Sequence, residues 1–80
     1  MRLDKFLKVS RIIKRRTVAN EACDAGRVMV NGTQARASYA VKVGDIIEIA
    51  LGSREIKIRV KEINERATKD TAPSMYENAT

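Results

Sequence analysis

Histidine is absent from the 80-residue chain, and cysteine occurs once, as Cys23. A single cysteine excludes an internal disulfide, and without histidine or a second cysteine the usual zinc-ligand sets are excluded as well. The lack of histidine also removes the commonest general base, and the carboxylates are interspersed with lysine and arginine as on a solvated surface. We therefore expect a binding protein that is not an enzyme, with no metal site and no cofactor.

Long apolar runs are also missing. No stretch approaches the roughly 20 apolar residues of a membrane span, and charges interrupt the N-terminal segment where a signal peptide would be apolar. The content of 44% hydrophobic against 32% charged residues is nevertheless too apolar for a disordered chain. These observations predict one small cytoplasmic domain without a membrane partner, and we expect it to be a monomer.

Positive charge is abundant, and it is concentrated at one end. Lysine and arginine exceed aspartate and glutamate by six, while from residue 20 onward nine cations and nine acids cancel. The first nineteen residues hold one acid, Asp4, and seven cations, which are Arg2, Lys5, Lys8, Arg11, Lys14, Arg15 and Arg16. A localised cationic surface of this kind attracts a polyanion and releases the polyanion's counterions on binding.

Hydrophobic periodicity predicts two helices at this basic end. Apolar residues at helical spacing indicate a first helix over residues 2–10, namely Leu3, Phe6 and Leu7. A second helix is predicted from Arg15 to Ala25, with Gly26 as its left-handed cap. Its inward stripe is expected to be Val18, Ala19, Ala22 and Cys23. Cys23 on that stripe is interpreted as a buried apolar residue rather than a reactive thiol.

The rest of the chain has the pattern of a small antiparallel sheet. Val28 and Val30 alternate around a methionine, and Asn31-Gly32 is a strong signal for a hairpin turn. Further strands are predicted over Gln34–Ser38, Ile46–Leu51 and Arg54–Ile63. The predicted fold class is α+β, with short helices packed on a twisted, mostly antiparallel sheet. Residues 1–63 form the predicted domain, and residues 64–80 are predicted to be a partly disordered tail.

Lys14, Arg15 and Arg16 lie where the second helix is predicted to begin. A helix start favours anions, so three cations there destabilise the helix unless a phosphate is bound. Exposed aromatic platforms for single-stranded nucleic acid are lacking, which favours structured RNA. A helix-turn-helix DNA-binding regulator is the competing interpretation. The outward Glu21 and Asp24 on the second helix disfavour it because they repel DNA.

Several short motifs follow one another along the chain in a series that resembles the sequence of the S-four RNA-binding domain. They are Leu3-Asp4 with Leu7, the Arg16-x-x-Ala19 step, G-R-V-x-V-N-G at 26–32, and V-K-V-G-D at 41–45 with Ile47. The opening M-R-L-D-K-F-L-K and the late Ala72-x-x-Met75-Tyr76 element resemble the stand-alone proteins of that family. These are the RqcP proteins and the small ribosome-associated heat-shock proteins.

The resemblance implies an RNA-binding factor in ribosome-associated quality control. Such a factor binds the large ribosomal subunit that still carries peptidyl-tRNA, contacts rRNA and tRNA, and supports C-terminal tailing of the nascent chain by an RqcH-like partner. By motif, the RNA-contacting set includes Arg2, Asp4, Lys5, Arg15 and Arg16, and the charge pattern adds Lys8, Arg11 and Lys14. A general rRNA- or tRNA-binding module in ribosome assembly is the alternative.

Overall fold

The computed structural model describes residues 1–79, in which two helices precede a five-stranded sheet. The elements are α1 (Leu3–Val9), α2 (Arg16–Asp24), β1 (Val28–Val30), β2 (Thr33–Gln34), β3 (Ile46–Leu51), β4 (Arg54–Val60), a 3-10 helix (Ala72–Met75) and β5 (Tyr76–Asn78). All neighbouring strands are antiparallel, in the order β2-β1-β3-β4-β5. The predicted α+β architecture is confirmed.

One apolar core joins the helices to the sheet. Buried residues alternate in the three central strands, at Val28 and Val30, at Ile47 and Ile49, and at Ile58 and Val60, as the alternation of apolar and polar residues predicts. The helices contribute their apolar stripes, and Phe6, Leu3 and Leu7 are fully buried. Because these side chains fix both helices against the sheet, the opposite polar faces of α1 and α2 are held in a defined orientation.

The turn between β1 and β2 has the conformation that its sequence predicts. Val30 pairs with Thr33, and the two residues between them have positive φ angles, 53° at Asn31 and 84° at Gly32. Positive φ at both central residues defines a type I′ turn, which suits the twist of a hairpin. The predicted hairpin at Asn31-Gly32 is confirmed.

Asp45 connects this hairpin to the turn that precedes β3. Asp45 is 7% exposed, and its carboxylate accepts hydrogen bonds from the Tyr39 hydroxyl at 2.9 Å, the Lys42 backbone amide at 2.9 Å and the Asn31 side-chain amide at 3.1 Å. The side-chain Oδ1 of Asn31 in turn accepts a hydrogen bond from the Ile46 backbone amide at 3.0 Å. One buried carboxylate therefore holds two turns together.

The strand that follows the hairpin turn is shorter than predicted. The predicted strand covers Gln34–Ser38, whereas β2 covers Thr33–Gln34. Residues 37–41 instead run beside the start of the chain, where the Leu3 amide donates to the Tyr39 carbonyl at 2.8 Å. The prediction was wrong because a local pattern does not show that the N-terminus competes for this segment.

Several element ends and one side chain also differ from the prediction. The first helix covers Leu3–Val9 rather than residues 2–10, and the second ends at Asp24 rather than Ala25. Arg15 has an extended backbone as the N-cap, so α2 begins one residue later. Val18 is 43% exposed because it lies about 100° around the helix from the buried Ala19, at the edge of the stripe. The fourth strand ends at Val60 because the Lys61 amide donates to a carbonyl of the 3-10 helix at 2.8 Å.

The C-terminal segment adds a strand that the pattern does not predict. β5 pairs with β4 through Val60 opposite Tyr76, and Met75 is fully buried in the core. Thr80 lies outside the described residues. The partly disordered character of residues 64–80 stays a prediction, although its Ala72–Asn78 part has a defined place in this fold.

Candidate nucleic-acid interface

A buried carboxylate lies under the basic end of the chain. Asp4, in the first turn of α1, is 2% exposed. Its oxygens accept hydrogen bonds from the Lys5 amide at 2.8 Å and from the Asn20 side-chain amide at 3.3 Å. Two guanidinium groups, of Arg2 and Arg16, approach the same carboxylate at 3.3 and 3.4 Å. Asp4 therefore connects the start of α1 to the start of α2.

The hydrogen bonds that Asp4 accepts determine whether its carboxyl group is ionised. Burial raises the pKa of this carboxyl, but hydrogen bonds from Asn20, Arg16 and the Lys5 amide lower it more, so the pKa lies below its ordinary value. Asp4 is consequently charged at neutral pH. A buried anion attracts Arg2 and Arg16 and limits the directions in which they point.

Arg2 and Arg16 present their remaining donors to solvent. Their side chains are 52% and 48% exposed, while that of Asp4 is 3% exposed. A guanidinium has five N–H donors, so an arginine that uses one or two of them on Asp4 keeps others for a phosphate. The arrangement is suited to binding a phosphodiester with two oriented arginines.

The other predicted cations lie on α1 or in the segment between α1 and α2. Lys8, Arg11, Lys14 and Arg15 are exposed, and within residues 1–79 none of them forms an ion pair with a carboxylate. Lys5 differs, because its ammonium group contacts the Glu65 carboxylate at 3.1 Å. Six of the seven predicted cations therefore lie on α1, on α2 or between them, and the seventh, Arg2, is the N-cap of α1. Asp4 is buried beneath Arg2 and Arg16.

Arg11 has an unusual backbone conformation. Its φ angle is 64°, in the left-handed region that non-glycine residues seldom adopt. It follows the Ser10 cap of α1, where glycine is the common residue. An arginine at such a position has a conformational cost, and its exposed side chain has no carboxylate partner in the described part of the chain.

Two residues of this region were missed as partners by sequence reasoning. Asn20 has no role in the sequence-based prediction, yet its side-chain amide donates a hydrogen bond to Asp4. A signal was available, because Asn20 follows Arg16 by four residues and so shares its face of α2. Glu65 had no such signal, since sixty residues separate it from Lys5.

A reactive thiol, a metal site and a membrane-spanning helix are not found among residues 1–79. Burial, together with the negative charges of Asp4 and Asp24, raises the pKa of Cys23 to about 11, so this thiol is protonated and buried. Residues 1–79 contain no cluster of three or more potential metal-ligating side chains. Over the same range, none of the helices is both long and apolar enough to cross a bilayer.

Comparison with known families agrees with this geometry. Residues 1–47, which contain both helices and the first hairpin, match the family model of the S4 domain. The trimeric structure of Vibrio cholerae heat shock protein 15 superimposes with a TM-score of 0.91 at 31% identity, covering 99% of this chain and 81% of that one. The fold and its basic helical face thus define an S4-domain protein.

Curated relatives narrow the assignment. The RQC P-site tRNA stabilizing factor of Bacillus subtilis is 50% identical over 76 residues, which cover 95% of this chain and 88% of the relative. The factor of the same name from Streptococcus pneumoniae is 52% identical over 77 residues, covering 96% and 88%. The chain belongs to the family of the RQC P-site tRNA stabilizing factors.

Proposed function

We propose that this protein is an RNA-binding factor of ribosome-associated quality control. It binds obstructed large ribosomal subunits that carry peptidyl-tRNA, and it contacts both the rRNA and the tRNA. The name of its relatives, which refers to stabilising tRNA in the P site, supports the tRNA part of this proposal. It acts in the cytoplasm as a monomer, and an RqcH-like partner extends the nascent chain while the tRNA is held.

The observation that carries the proposal is the cationic face of α1 and α2. It consists of Arg2, Lys5, Lys8, Arg11, Lys14, Arg15 and Arg16. Asp4 belongs to the same site as a positioning residue, because it is buried and holds Arg2 and Arg16. A phosphate backbone supplies the opposite charge at regular spacing, and arginine binds it with directed hydrogen bonds.

Two separate groups of cations allow contact with two RNA elements. One group lies on α1 and the other in the segment that leads into α2, and Asp4 connects them. When both RNA elements are present, the second contact becomes intramolecular and the overall affinity rises. A large subunit with bound peptidyl-tRNA offers rRNA and tRNA together, whereas a vacant subunit offers rRNA alone.

Binding of rRNA alone tests the electrostatic part of the proposal. If four or five cations reach phosphates, log K falls with log salt at a slope of roughly −3 to −4. A filter-binding titration over a range of salt concentrations measures this slope. A slope near zero would show that phosphate contacts do not drive binding.

Pelleting with purified large subunits tests whether the protein recognises subunits that carry peptidyl-tRNA. At one fixed salt concentration, subunits loaded with peptidyl-tRNA are expected to bind about a hundredfold more tightly than vacant subunits. Subunits loaded with deacylated tRNA are the matched control for the peptidyl group. Equal affinity for vacant and loaded subunits would contradict the quality-control function and favour a general rRNA-binding module in ribosome assembly.

A further inference from the structure

A polar groove borders the cationic face without being part of it. It lies between α2 and residues 34–38 and has a volume of about 550 Å³, within the roughly 300–1,000 Å³ of small-molecule sites. Arg2 lines it at the edge that it shares with the cationic face. Cys23 and Ala37 contribute small, buried side chains to its lining. The groove therefore has the volume to hold one nucleotide next to Arg2.

Three side chains of the groove offer hydrogen-bond acceptors beside the donors of its two arginines. The Asn20 and Gln34 amide nitrogens already donate, to Asp4 at 3.3 Å and to the Gly26 carbonyl at 3.2 Å, which leaves the Asn20 Oδ1 and Gln34 Oε1 oxygens as acceptors. Asp24 adds a carboxylate, for which no ion pair is found within residues 1–79. These three acceptors are complementary to an amino group on a ligand.

Arg36 supplies positive charge to the same groove. It is exposed, lines the groove and has no carboxylate partner among the described residues. It lies outside the basic N-terminal nineteen residues, so the charge pattern alone does not assign it a role. Guanidinium groups bind phosphates and also stack on unpaired bases. Arg36 and Arg2 can therefore hold the backbone or the ring of a nucleotide whose edge meets the acceptors.

We infer that this groove is a pocket for one unpaired nucleotide of the bound RNA, with a preference for guanosine. An uninterrupted RNA helix does not present its base edges to a side pocket, whereas an unpaired base can be turned outward into one. The exocyclic amino group of guanine meets the acceptors, and the Asp24 carboxylate can accept both its N1–H and N2–H groups. Uracil has no amino group and fits least well. The inference rests on the proposed RNA-binding function.

Short RNA duplexes test the inference directly. The probes are one uninterrupted 20-base-pair duplex and four otherwise identical duplexes that each carry one unpaired nucleotide, either guanosine, adenosine, cytidine or uridine. Affinities are measured by fluorescence anisotropy at one salt concentration. The wild-type protein is expected to bind the duplex with unpaired guanosine about tenfold more tightly than the uridine and uninterrupted duplexes, a factor within the range of one base contact. Equal affinity for all five would overturn the inference.

Matched variants separate the pocket from the cationic face. Asp24→Asn removes a negative charge, so electrostatics alone would tighten binding to every duplex, whereas the pocket predicts loss of the guanosine preference. Arg36→Ala is expected to reduce that preference. Arg54→Ala, at another exposed arginine at the start of β4, is expected to preserve it. A preference that survives in both Asp24→Asn and Arg36→Ala would overturn the pocket.

Arg16→Ala distinguishes the pocket from the proposed function. This substitution on the cationic face should weaken binding to all five duplexes by a similar factor and leave the guanosine preference intact. If Arg16→Ala leaves every affinity unchanged, the proposed RNA-binding face is wrong. If Arg16→Ala weakens all five while the wild type shows no preference, the face is right and the pocket is wrong.

Discussion

Asp4 and Asp45 are both buried carboxylates, and hydrogen bonds lower the pKa of both despite their burial, but their partners differ in kind. Asp45 accepts from neutral donors, the Tyr39 hydroxyl, the Asn31 amide and a backbone N–H. Asp4 also accepts from two half-exposed arginines. A neutral donor that is bonded to a buried carboxylate serves only to hold the fold. An exposed arginine can bond to the carboxylate with some of its N–H groups and to a ligand with the others.

The difference shows two uses of one residue type. Around Asp45 the buried charge joins two turns, so its hydrogen bonds stabilise the folded state. Around Asp4 the buried charge orients two arginines. These cations repel one another, and a bound anionic ligand reduces that repulsion. The first region should respond to substitution mainly in stability, and the second mainly in RNA affinity.

Asp45→Ala should have the largest effect. It leaves the Lys42 amide, the Asn31 amide and the Tyr39 hydroxyl without their acceptor, at a cost of about 3 kcal/mol in the free energy of unfolding. Thermal denaturation should show a Tm lower by about 12 °C or more. Asp70→Ala, at an exposed aspartate, is the control and should leave the Tm unchanged. A wild-type Tm for Asp45→Ala would contradict the role of this carboxylate.

The pH dependence of stability checks the same group. The folded pKa of Asp45 lies below its ordinary value of 3.8, so its stabilisation is present above that pH and is lost as the pH falls through the lower folded value. Asp45→Asn should flatten this acid-side loss when urea denaturation is repeated at several pH values below 5. An unchanged slope would contradict the assignment.

Gly32→Val should destabilise the hairpin that Asp45 supports. A β-branched residue is strained at a φ of 84°, at a cost of about 2 kcal/mol. Gly32→Asn is the control, because asparagine tolerates the left-handed conformation. Chemical denaturation of both variants measures the difference, and equal stabilities would show that backbone strain does not govern this turn.

Arg16→Ala should act on binding rather than on the fold. Loss of a charge-assisted hydrogen bond to phosphate lowers the affinity for large subunits about tenfold. Lys61→Ala is the matched control, since Lys61 is an exposed cation just beyond β4, on the part of the chain whose charges cancel. Equal losses in the two variants, with both folded by circular dichroism, would mean that the wrong surface has been assigned.

Arg11→Gly should slightly raise the stability of the protein and slightly lower its affinity for RNA. Glycine relieves the left-handed conformation at a φ of 64° and should stabilise the protein by about 1 kcal/mol. The same change removes a cation and should weaken RNA binding a few-fold. Denaturation and filter binding on one preparation measure both. A variant that gains stability without losing affinity would show that the Arg11 side chain does not contact RNA.

Sequence patterns predicted the parts of the fold that depend on local residues. Leu3, Phe6 and Leu7 predicted the buried face of α1, and Asn31-Gly32 predicted the hairpin turn. β5 escaped prediction because Tyr76–Asn78 lack apolar alternation and are held by backbone pairing with a distant strand.

The candidate site was predictable in its charges but not in its geometry. The cations of the basic end are visible in the composition, and resemblance alone placed Asp4 among them. The burial of Asp4 and its contacts with Arg16 and Asn20 depend on the packing of α1 against α2, twelve to sixteen residues along the chain. Long-range packing of this kind has no signal in a local pattern.

The affinity of Asp4→Asn for RNA tests most directly whether a buried carboxylate positions the binding arginines. The substitution raises the formal net charge from +6 to +7, so charge alone predicts tighter binding at low salt. Positioning predicts the reverse, because an amide in this place holds Arg2 and Arg16 less firmly, and the affinity for large subunits should fall about fivefold. Filter binding at two salt concentrations, with circular dichroism to verify folding, measures the outcome. A folded variant that binds as tightly as wild type, or more tightly, would contradict the account.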